Sequence, residues 1–234
     1  MRLVAAAHQP NYMPWLGYFH KIFRADVFIF LDDVQYSKNS YINRVGVRSR
    51  ANNGWLTIPV TAGLGDQINT VWPSRADWVS RHLDTLRGLY QEASYFSVVW
   101  PTLKETYAQV PDGPTDLINI HLIEAMALHL GFSCRFVRSS EYDVGVTRGD
   151  ERLVALLEKI VPGAMYLSGK GAAAYQDPER YRSAGFEFSY SSFQHPIYAQ
   201  GEEEFSPGLS IIDAVMHTGW AKTSEMIERG GSAA

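Results

Sequence analysis

The chain has 234 residues, of which 46% are hydrophobic and 20% are charged, and its formal net charge is −4 at pH 7. This composition is typical of a soluble globular protein with a sizeable core, and the negative charge argues against DNA binding, which usually needs a basic surface. The single cysteine, Cys134, excludes an intramolecular disulfide and a structural cysteine-zinc site. No apolar run is long enough to cross a bilayer and no signal peptide precedes His8, so we expect a cytoplasmic protein.

The N-terminal residues alternate between apolar and polar stretches. An apolar run at 3–7 precedes a polar stretch at 8–12, and an amphipathic segment that begins at Pro14 and ends near Arg24 follows it. A second apolar run occupies 27–31. This periodicity predicts a strand, a loop, a helix and a second strand, a unit that almost always forms a right-handed crossover between parallel strands.

Polar side chains follow each of the two predicted strands. His8 and Gln9 come after the first strand, and Asp32 and Asp33 come after the second. Because parallel strands of a crossover unit end at the same edge, we expect these side chains to meet in the crevice where open parallel sheets bind ligands. His8 is expected to act as a general base or acid, or to hold a phosphate; the alternative is a histidine that only bonds the backbone at a strand end.

The two aspartates are expected to serve as a base, a Mg²⁺ ligand or an acceptor for sugar hydroxyls. Adjacent residues of an extended chain point in opposite directions, so only one of them should enter the pocket while the other braces a loop. Neighbouring carboxylates raise each other's pKa, which favours a role as general base. Asp33, which is nearer the following loop, is the preferred candidate.

A loop that is dense in hydrogen-bonding side chains follows Asp33 and leads into a short predicted strand at 45–47. Arg44 suits a bidentate grip on a carboxylate or phosphate, and Lys38 offers a mobile positive charge. A solvated loop without a ligand is the alternative. The side chains of this loop that we expect to contact substrate are Gln35, Tyr36, Lys38, Asn43 and Arg44.

The rest of the chain contains a helical middle between regions of strand. Residues 52–54 predict a turn and 55–60 a further strand, and helical periodicity then dominates from about 74 to 131. Strands are predicted at 133–137, 164–167 and 186–190, with helices at 149–161 and 209–217.

These elements predict an α/β fold with a mainly parallel, twisted sheet of about six strands flanked by helices. We expect a single domain at 1–229 with the helical segment as an insertion or subdomain, and a disordered tail at 230–234.

A glycine-containing turn follows the predicted strand at 164–167. Ser168, Gly169 and Gly171 lie between that strand and a short helix that continues through Tyr175, so their backbone amides are placed to cradle an anion. The spacing differs from that of a Walker loop. No His/Asp cluster has metal-ligand spacing, and we therefore expect no tight zinc site.

Several long motifs resemble the WbqC-like family of bacterial proteins. They are HQPNYMPWLGYFHKI from His8, DVFIFLDDVQYSKNSYINR from Asp26, GWLTIPV from Gly54, and shorter matches within 166–175 and 205–213. The resemblance covers nearly the whole chain, and Gln9, Asn11 and Tyr12 of the first motif join the expected substrate contacts. It implies a role in the biosynthesis of O-antigen, other surface glycans or specialised metabolites, with transfer of glycine or another acyl or aminoacyl group. It supplies no catalytic residues.

The leading hypothesis is an enzyme that forms an amide or ester on an amino sugar or another small polar metabolite. His8, with Asp32 or Asp33, would deprotonate the acceptor, Arg44 and Lys38 would hold the donor, and the Gly169 turn would bind an anionic group. An ATP-activated donor with Mg²⁺, a carrier-bound thioester and a tRNA-bound acyl group all remain open, as does the oligomeric state. The alternatives are an ATP-dependent ligase or nucleotidyltransferase, and a non-catalytic ligand-binding or scaffold protein.

Overall fold

The computed structural model describes residues 2–48, 54–145, 148–201 and 204–230 and confirms the α/β fold. The strands within these ranges are β1 (Val4–His8), β2 (Val27–Phe30), β3 (Arg44–Val47), β4 (Gly54–Thr57), β5 (Val60–Thr61), β6 (Trp72–Pro73), β7 (Arg135–Arg138), β8 (Met165–Ser168) and β9 (Glu187–Tyr190). The helices are α1 (Leu16–Arg24), α2 (Trp78–Tyr90), α3 (Phe96–Ala108), α4 (Thr115–His129), α5 (Gly149–Ile160), α6 (Pro178–Ser183) and α7 (Ile211–Arg229). Among the helices described, none is long and apolar enough to cross a membrane.

The main sheet of the described residues is wholly parallel and has the strand order β7-β2-β1-β8-β9. The chain builds outward from β1 to β2 and β7, and then returns to the other side of β1 to add β8 and β9. If only these strands are counted in chain order, the order is 3-2-1-4-5, as in doubly wound sheets that bind nucleotides. The reversal opens a crevice between the carboxyl ends of β1 and β8.

Both faces of the sheet are buried by helices, so its strands are apolar on both sides. Ala6, Phe28 and Leu167 face the larger core, which also contains residues of α1, α2, α3, α4 and α7. Ala5 and Ile29 face the opposite core, which contains residues of α5 and α6. The small side chains of β1 let helices approach the centre of the sheet closely.

The predicted strand at 55–60 lies outside the main sheet, which has five strands in the described residues. Its first part, β4, pairs antiparallel with β3, and its last residue begins β5, which pairs with β6. A parallel pairing needs a crossover of a dozen or more residues, whereas β3 and β4 are joined directly and can only fold back on each other. The alternation along β4, with Leu56 buried between exposed Trp55 and Thr57, fits a pair with one face in water.

The helical middle was predicted correctly, since α2, α3 and α4 occupy 78–129 without a strand of the main sheet. Two helix ends differ from prediction. The first helix begins at Leu16 and not at Pro14, and the last helix continues to Arg229 after a break at Gly219, where φ is 74°. Part of the predicted turn at 52–54 and the tail beyond Gly230 lie outside the described residues, and the domain boundaries remain a prediction.

Candidate functional site

A cavity of about 840 Å³ lies at the carboxyl ends of β1 and β8, where the strand order reverses. This is the position at which open parallel sheets bind ligands, because the loops diverge there and leave a crevice. Of the residues predicted to form the site, those that line the cavity are His8, Gln9, Asn11, Ser168, Gly169, Gly171 and Tyr175.

His8 is the last residue of β1 and lies against the rings of Trp15 and Tyr18, with centroids at 6.2 and 4.8 Å. Its Nδ1 is 3.1 Å from the Gln9 carbonyl oxygen, which only accepts, so Nδ1 carries the hydrogen and Nε2 keeps its lone pair. Burial, with the nearby charge of Lys21, lowers the pKa of His8 to about 3. The ring is therefore neutral at pH 7 and is a hydrogen-bond acceptor rather than a strong base.

Lys21 lines the cavity but was not among the site residues predicted from the sequence. It belongs to α1, is only 5% exposed, and donates a hydrogen bond from Nζ to the Ala7 carbonyl oxygen at 3.0 Å. Burial lowers the pKa of Lys21 to about 7, so a large fraction of the amine is neutral at physiological pH. A neutral amine can donate to Ala7 and still present a lone pair, which makes Lys21 a stronger candidate than His8 for the general base.

A signal for Lys21 was present in the sequence. Lys21 follows Gly17 by four residues, so the two share one face of α1, and both line the cavity. A Cβ at Gly17 would lie 2.8 Å from Cδ1 of Phe193 and 3.0 Å from Nε1 of Trp15. The backbone at Gly17 therefore lies very close to its neighbours, which are two aromatic rings that also line the cavity.

The turn after β8 forms the opposite wall of the cavity and is braced by a chain of hydrogen bonds. Ser168 donates to the side chain of Gln176, which donates to the Tyr181 hydroxyl at 3.2 Å, and that hydroxyl donates to Asp150 at 2.8 Å. Gly169 and Gly171 leave their backbone close to the cavity without side chains in the way. The predicted helix through Tyr175 is a short 3-10 turn at Lys170–Ala172.

The loop that begins at His8 is held in place by distant elements. Asn119 donates from Nδ2 to the carbonyl oxygens of Pro10 and Ile42 at 2.9 and 2.7 Å, and the backbone N–H of Tyr12 donates to the Tyr41 carbonyl at 2.8 Å. These bonds join the first loop to the loop after β2, so the two form one wall.

Tyr12 itself does not contact the cavity, contrary to prediction. Its side chain is fully buried in the larger core, where its hydroxyl bonds His82 Nδ1 at 2.7 Å and the hydroxyl of Tyr107. The loop turns toward the core at Tyr12, and the sequence motif alone does not show which way this side chain points.

The expected pairing of His8 with Asp32 or Asp33 is corrected by the structure. Both aspartates follow β2 at the same edge as His8, yet neither lines the cavity. Asp32 is fully buried and accepts hydrogen bonds from Arg138 at 2.8 Å and from Ser140 N at 3.0 Å. Because β7 lies on the far side of β2, the residues after β7 draw this carboxylate away from β1.

Asp33 also binds other side chains instead of the cavity, and its ion-pair partner Arg152 lines the cavity. Asp33 accepts from Ser139 Oγ and forms an ion pair with Arg152, which extends from the first turn of α5. The Nε atom of Arg152 is buried without a hydrogen-bond partner. No pattern in the sequence indicated Arg152, since only the packing of α5 on the sheet brings it there.

The predicted contacts at 35–44 brace their own loop rather than the cavity. Gln35 bridges to Gln67, Tyr36 donates to Asn43 at 2.9 Å, and Asn43 donates to the Ile58 carbonyl at 2.9 Å. Arg44 bonds the Asn39 backbone, and Lys38 is exposed. Two loop residues that were not predicted, Ser40 and Tyr41, line the cavity instead.

The family model for "WbqC-like protein family" matches residues 9–225, which include the first loop, the β8 turn and nearly all of α7. The chain belongs to the WbqC-like family. The chain is similar to "Uncharacterized protein Rv1507c" of Mycobacterium tuberculosis (strain ATCC 25618 / H37Rv), which is 29% identical over 216 residues, covering 90% of this chain and 92% of the relative. No solved structure matches the chain. Among the described residues of this WbqC-like protein, no group of three His, Cys, Asp or Glu side chains is placed to hold a metal ion.

Proposed function

We propose that this WbqC-like protein is an acyl or aminoacyl transferase, of the kind that transfers glycine, and that it forms an amide or ester on an amino sugar or a related small polar metabolite. The cavity between β1 and β8 would be the active site. The observation that carries this proposal is the pair formed by Lys21 and His8, two nitrogen bases that line one cavity. At pH 7 His8 is neutral and a large fraction of Lys21 is neutral, because burial lowers the pKa of each. An attacking amine or hydroxyl must lose a proton, and a general base removes it most effectively when the pKa of the base lies near the working pH.

In the proposed step, the nitrogen or oxygen of the acceptor attacks the carbonyl carbon of the acyl donor. The new C–N or C–O bond forms while the bond between the acyl carbon and the donor's leaving group breaks. Lys21 takes the proton of the attacking atom and passes it to the leaving group. His8 accepts a hydrogen bond through Nε2 and orients the acceptor, which is a role that does not require its protonation.

The opposite wall supplies groups for the charge that develops on the carbonyl oxygen. Gly169, Gly171 and Arg152 line the same cavity, so the backbone N–H groups of the glycines and the guanidinium are the candidate donors. Donors that are already in place stabilise an oxyanion strongly because they need no reorganisation during the reaction. The resemblance of the motifs to proteins of surface-glycan and specialised-metabolite clusters supports biosynthesis as the setting.

The test is a mass-spectrometric assay of the full chain with acyl-CoA thioesters, glycyl-tRNA, or glycine with ATP, each offered with amino-sugar acceptors. We expect the acceptor to gain the mass of the acyl group with one of the preactivated donors. The rate should fall by about 100-fold or more in Lys21→Met, since a positioned base contributes that order of rate enhancement. Lys38→Met is the matched control, because Lys38 is exposed and lies outside the cavity.

Two outcomes would overturn the proposal. If transfer occurs only with the free acid plus ATP, the protein is a nucleotide-dependent ligase. If no donor is transferred while ligands still bind the cavity, the protein is a binding or scaffold component.

A further inference from the structure

Three aromatic rings form a ladder that leads from the cavity to the protein surface. Trp15 and Tyr41 line the cavity with centroids 5.0 Å apart, and Trp55 follows at 5.9 Å from Tyr41. Tyr41 is 41% exposed and Trp55 is 53% exposed, and the Arg44 guanidinium lies 4.3 Å from the Trp55 ring centroid. Contiguous apolar surface that begins in a cavity and remains in water indicates a binding surface rather than part of the core.

The cavity at the inner end of this aromatic ladder is lined by positive charge. Arg152 and Lys170 border it with positive charge, Lys21 adds an amine that is only partly protonated at pH 7, and none of the described residues that line it is Asp or Glu, although the whole chain carries a net charge of −4. Asp33 neutralises part of Arg152 from behind, whereas Lys170 is exposed and forms no ion pair with any residue the structure describes. Arg152 lines the cavity with a side chain that is 19% exposed, and its guanidinium also pairs with Asp33.

The backbone adds to the preference for an anion. The N-terminus of α5 borders the cavity at Gly149, and its N-cap residue, Arg148, makes no side-chain capping bond. The free N–H groups and the dipole of a helix N-terminus favour negative charge. The cavity therefore suits an anionic group for two reasons, which are its cationic side chains and the helix N-terminus at its edge.

We infer that the site binds a nucleotide, with the base stacked on the aromatic ladder and the phosphate held in the cavity by Lys170 and Arg152. A flat ring joined to an anion uses both features at once. A neutral sugar would leave the cations without partners, and inorganic phosphate would leave the rings uncovered. Bases stack on aromatic side chains without regard to sequence, and a cation beside the ring, as Arg44 is here, strengthens such contacts.

This inference rests on the proposed acyl transfer only for the role of the nucleotide, which would be the part of the activated donor that the protein binds. A CoA thioester, the aminoacyl end of a tRNA and an acyl adenylate all present a base and a phosphate close to a reactive acyl carbon. Lys21 and His8 would then remain available for the acyl group. Binding of a nucleotide can be measured without turnover, so the two proposals can fail separately.

The experiment titrates the full chain by calorimetry with ADP, UDP, pyrophosphate and N-acetylglucosamine. We expect ADP or UDP to bind at least about tenfold more tightly than pyrophosphate, which is the order of affinity that stacking of one base provides. Trp55→Ala should remove most of that advantage and leave pyrophosphate binding unchanged. Lys170→Ala should weaken the nucleotide and pyrophosphate alike.

The chain offers a matched control for each variant. Trp72 is 50% exposed but lies outside both the ladder and the cavity, and Lys104 of α3 is exposed outside the cavity, so Trp72→Ala and Lys104→Ala should change neither affinity. Tyr41→Leu, which keeps the bulk without a flat ring, repeats the test if Trp55→Ala fails to fold.

The inference is wrong if pyrophosphate binds as tightly as both nucleotides, or if Trp55→Ala and Tyr41→Leu leave nucleotide affinity unchanged. It is also wrong if N-acetylglucosamine binds through Trp55 while neither nucleotide binds. Any of these results would leave the proposed acyl transfer open to its own assay, with a donor that lacks a nucleotide.

Discussion

Lys21 and Asp32 are both buried charged residues at the carboxyl edge of the sheet, but their surroundings differ. Lys21 donates to the Ala7 carbonyl and faces the cavity, with a pKa lowered by burial to about 7. Asp32 is surrounded by an arginine, two serine hydroxyls and a backbone N–H. A buried ionisable group whose hydrogen-bonding positions are all occupied has a structural role. A buried ionisable group that faces a cavity with few partners is a candidate catalytic residue.

If Lys21 is the general base, its neutral form must carry the reaction. The value of kcat/KM should therefore rise with pH up to about 7, the pKa of Lys21, and stay level above it. The His8→Asn variant should react more slowly but keep the same midpoint, because His8 is neutral throughout that range. A pH–rate profile of the transfer reaction checks this. If Lys21→Met retained activity with an unchanged midpoint, another group would be the base.

If Asp32 is structural, Asp32→Asn should lower the free energy of unfolding by about 2–3 kcal/mol, somewhat less than for a wholly buried pair because Arg138 is partly exposed and keeps Asp116. Chemical denaturation measures this. Asp77→Asn is the control. Asp77 pairs with Arg75 and Arg81 in solvent, so the loss of unfolding free energy should be much smaller. An Asp32→Asn protein of normal stability that had lost all transfer activity would restore the catalytic interpretation.

The packing of α1 against the loop that contains Phe193 controls the shape of one cavity wall. In most exposed helices Gly→Ala is stabilising, because alanine has the higher helix propensity. At Gly17 the added methyl group would lie 2.8 Å from the Phe193 ring and 3.0 Å from the Trp15 indole. The element therefore needs this glycine for its contact with its neighbours.

We expect Gly17→Ala to lower the melting temperature and to weaken ADP binding, because Trp15 and Phe193 must move and both line the cavity. Gly88→Ala in α2 is the control. A Cβ there meets nothing within 4 Å, so this change should raise stability by up to about 1 kcal/mol and leave ligand affinity unchanged. Thermal unfolding and ADP titration of both variants give the comparison, and equal behaviour of the two would contradict the packing argument.

Burial of titratable groups throughout the molecule determines how its stability depends on pH. Burial lowers the pKa of several histidines below the ordinary value, namely His8, His20, His82, His195 and His217. Each then binds fewer protons in the folded chain than in the unfolded one, so the free energy of unfolding rises with pH up to about 6.5. The raised pKa values of Asp116, about 6, and Asp213 act in the opposite direction below that pH, but involve fewer groups.

Above pH 7 the pH dependence of the unfolding free energy is determined mainly by Lys21 and the tyrosines. Lys21 adds stability as pH rises from about 7 to about 10, because the unfolded lysine is still charged there. Burial raises the pKa of Tyr12 and Tyr18 well above 10, so stability is lost above about pH 10, where the unfolded tyrosines ionise.

We therefore expect maximal stability between about pH 8 and 10, with lower values at pH 5.5 and 11. Denaturant unfolding at these pH values measures the curve. The rise between about pH 7 and 9 should be absent in Lys21→Met, which serves as the internal control. Above about pH 9 the effect of Lys21 is offset by Cys134, because burial raises the pKa of its thiol to about 12 and the unfolded thiol ionises first. A maximum below pH 6 would mean that the raised carboxyl groups outweigh the histidines.

The sequence by itself determined the fold class, most element positions and the residues along one side of the candidate cavity. Local periodicity specifies whether a segment is a strand or a helix, and the short link between β1 and β2 through α1 requires both strands to end at one edge. His8, Gln9 and Asn11 follow β1, and Ser168 to Gly171 follow β8, so their place at that edge depends only on nearby residues. That is why these predictions agree with the cavity.

Only the tertiary structure decided which neighbours those residues have. The position of β7 beside β2 draws Asp32 to Arg138, and the packing of α5 brings Arg152 to the cavity. The folding of the loop after β2 points Tyr41 into the site and turns Tyr36 and Asn43 toward each other. These contacts join residues that are far apart along the chain or depend on the path of an irregular loop. Local sequence pattern does not predict distant contacts or the path of an irregular loop. The partner of each charged side chain can therefore be identified only when the order of strands in the sheet is known.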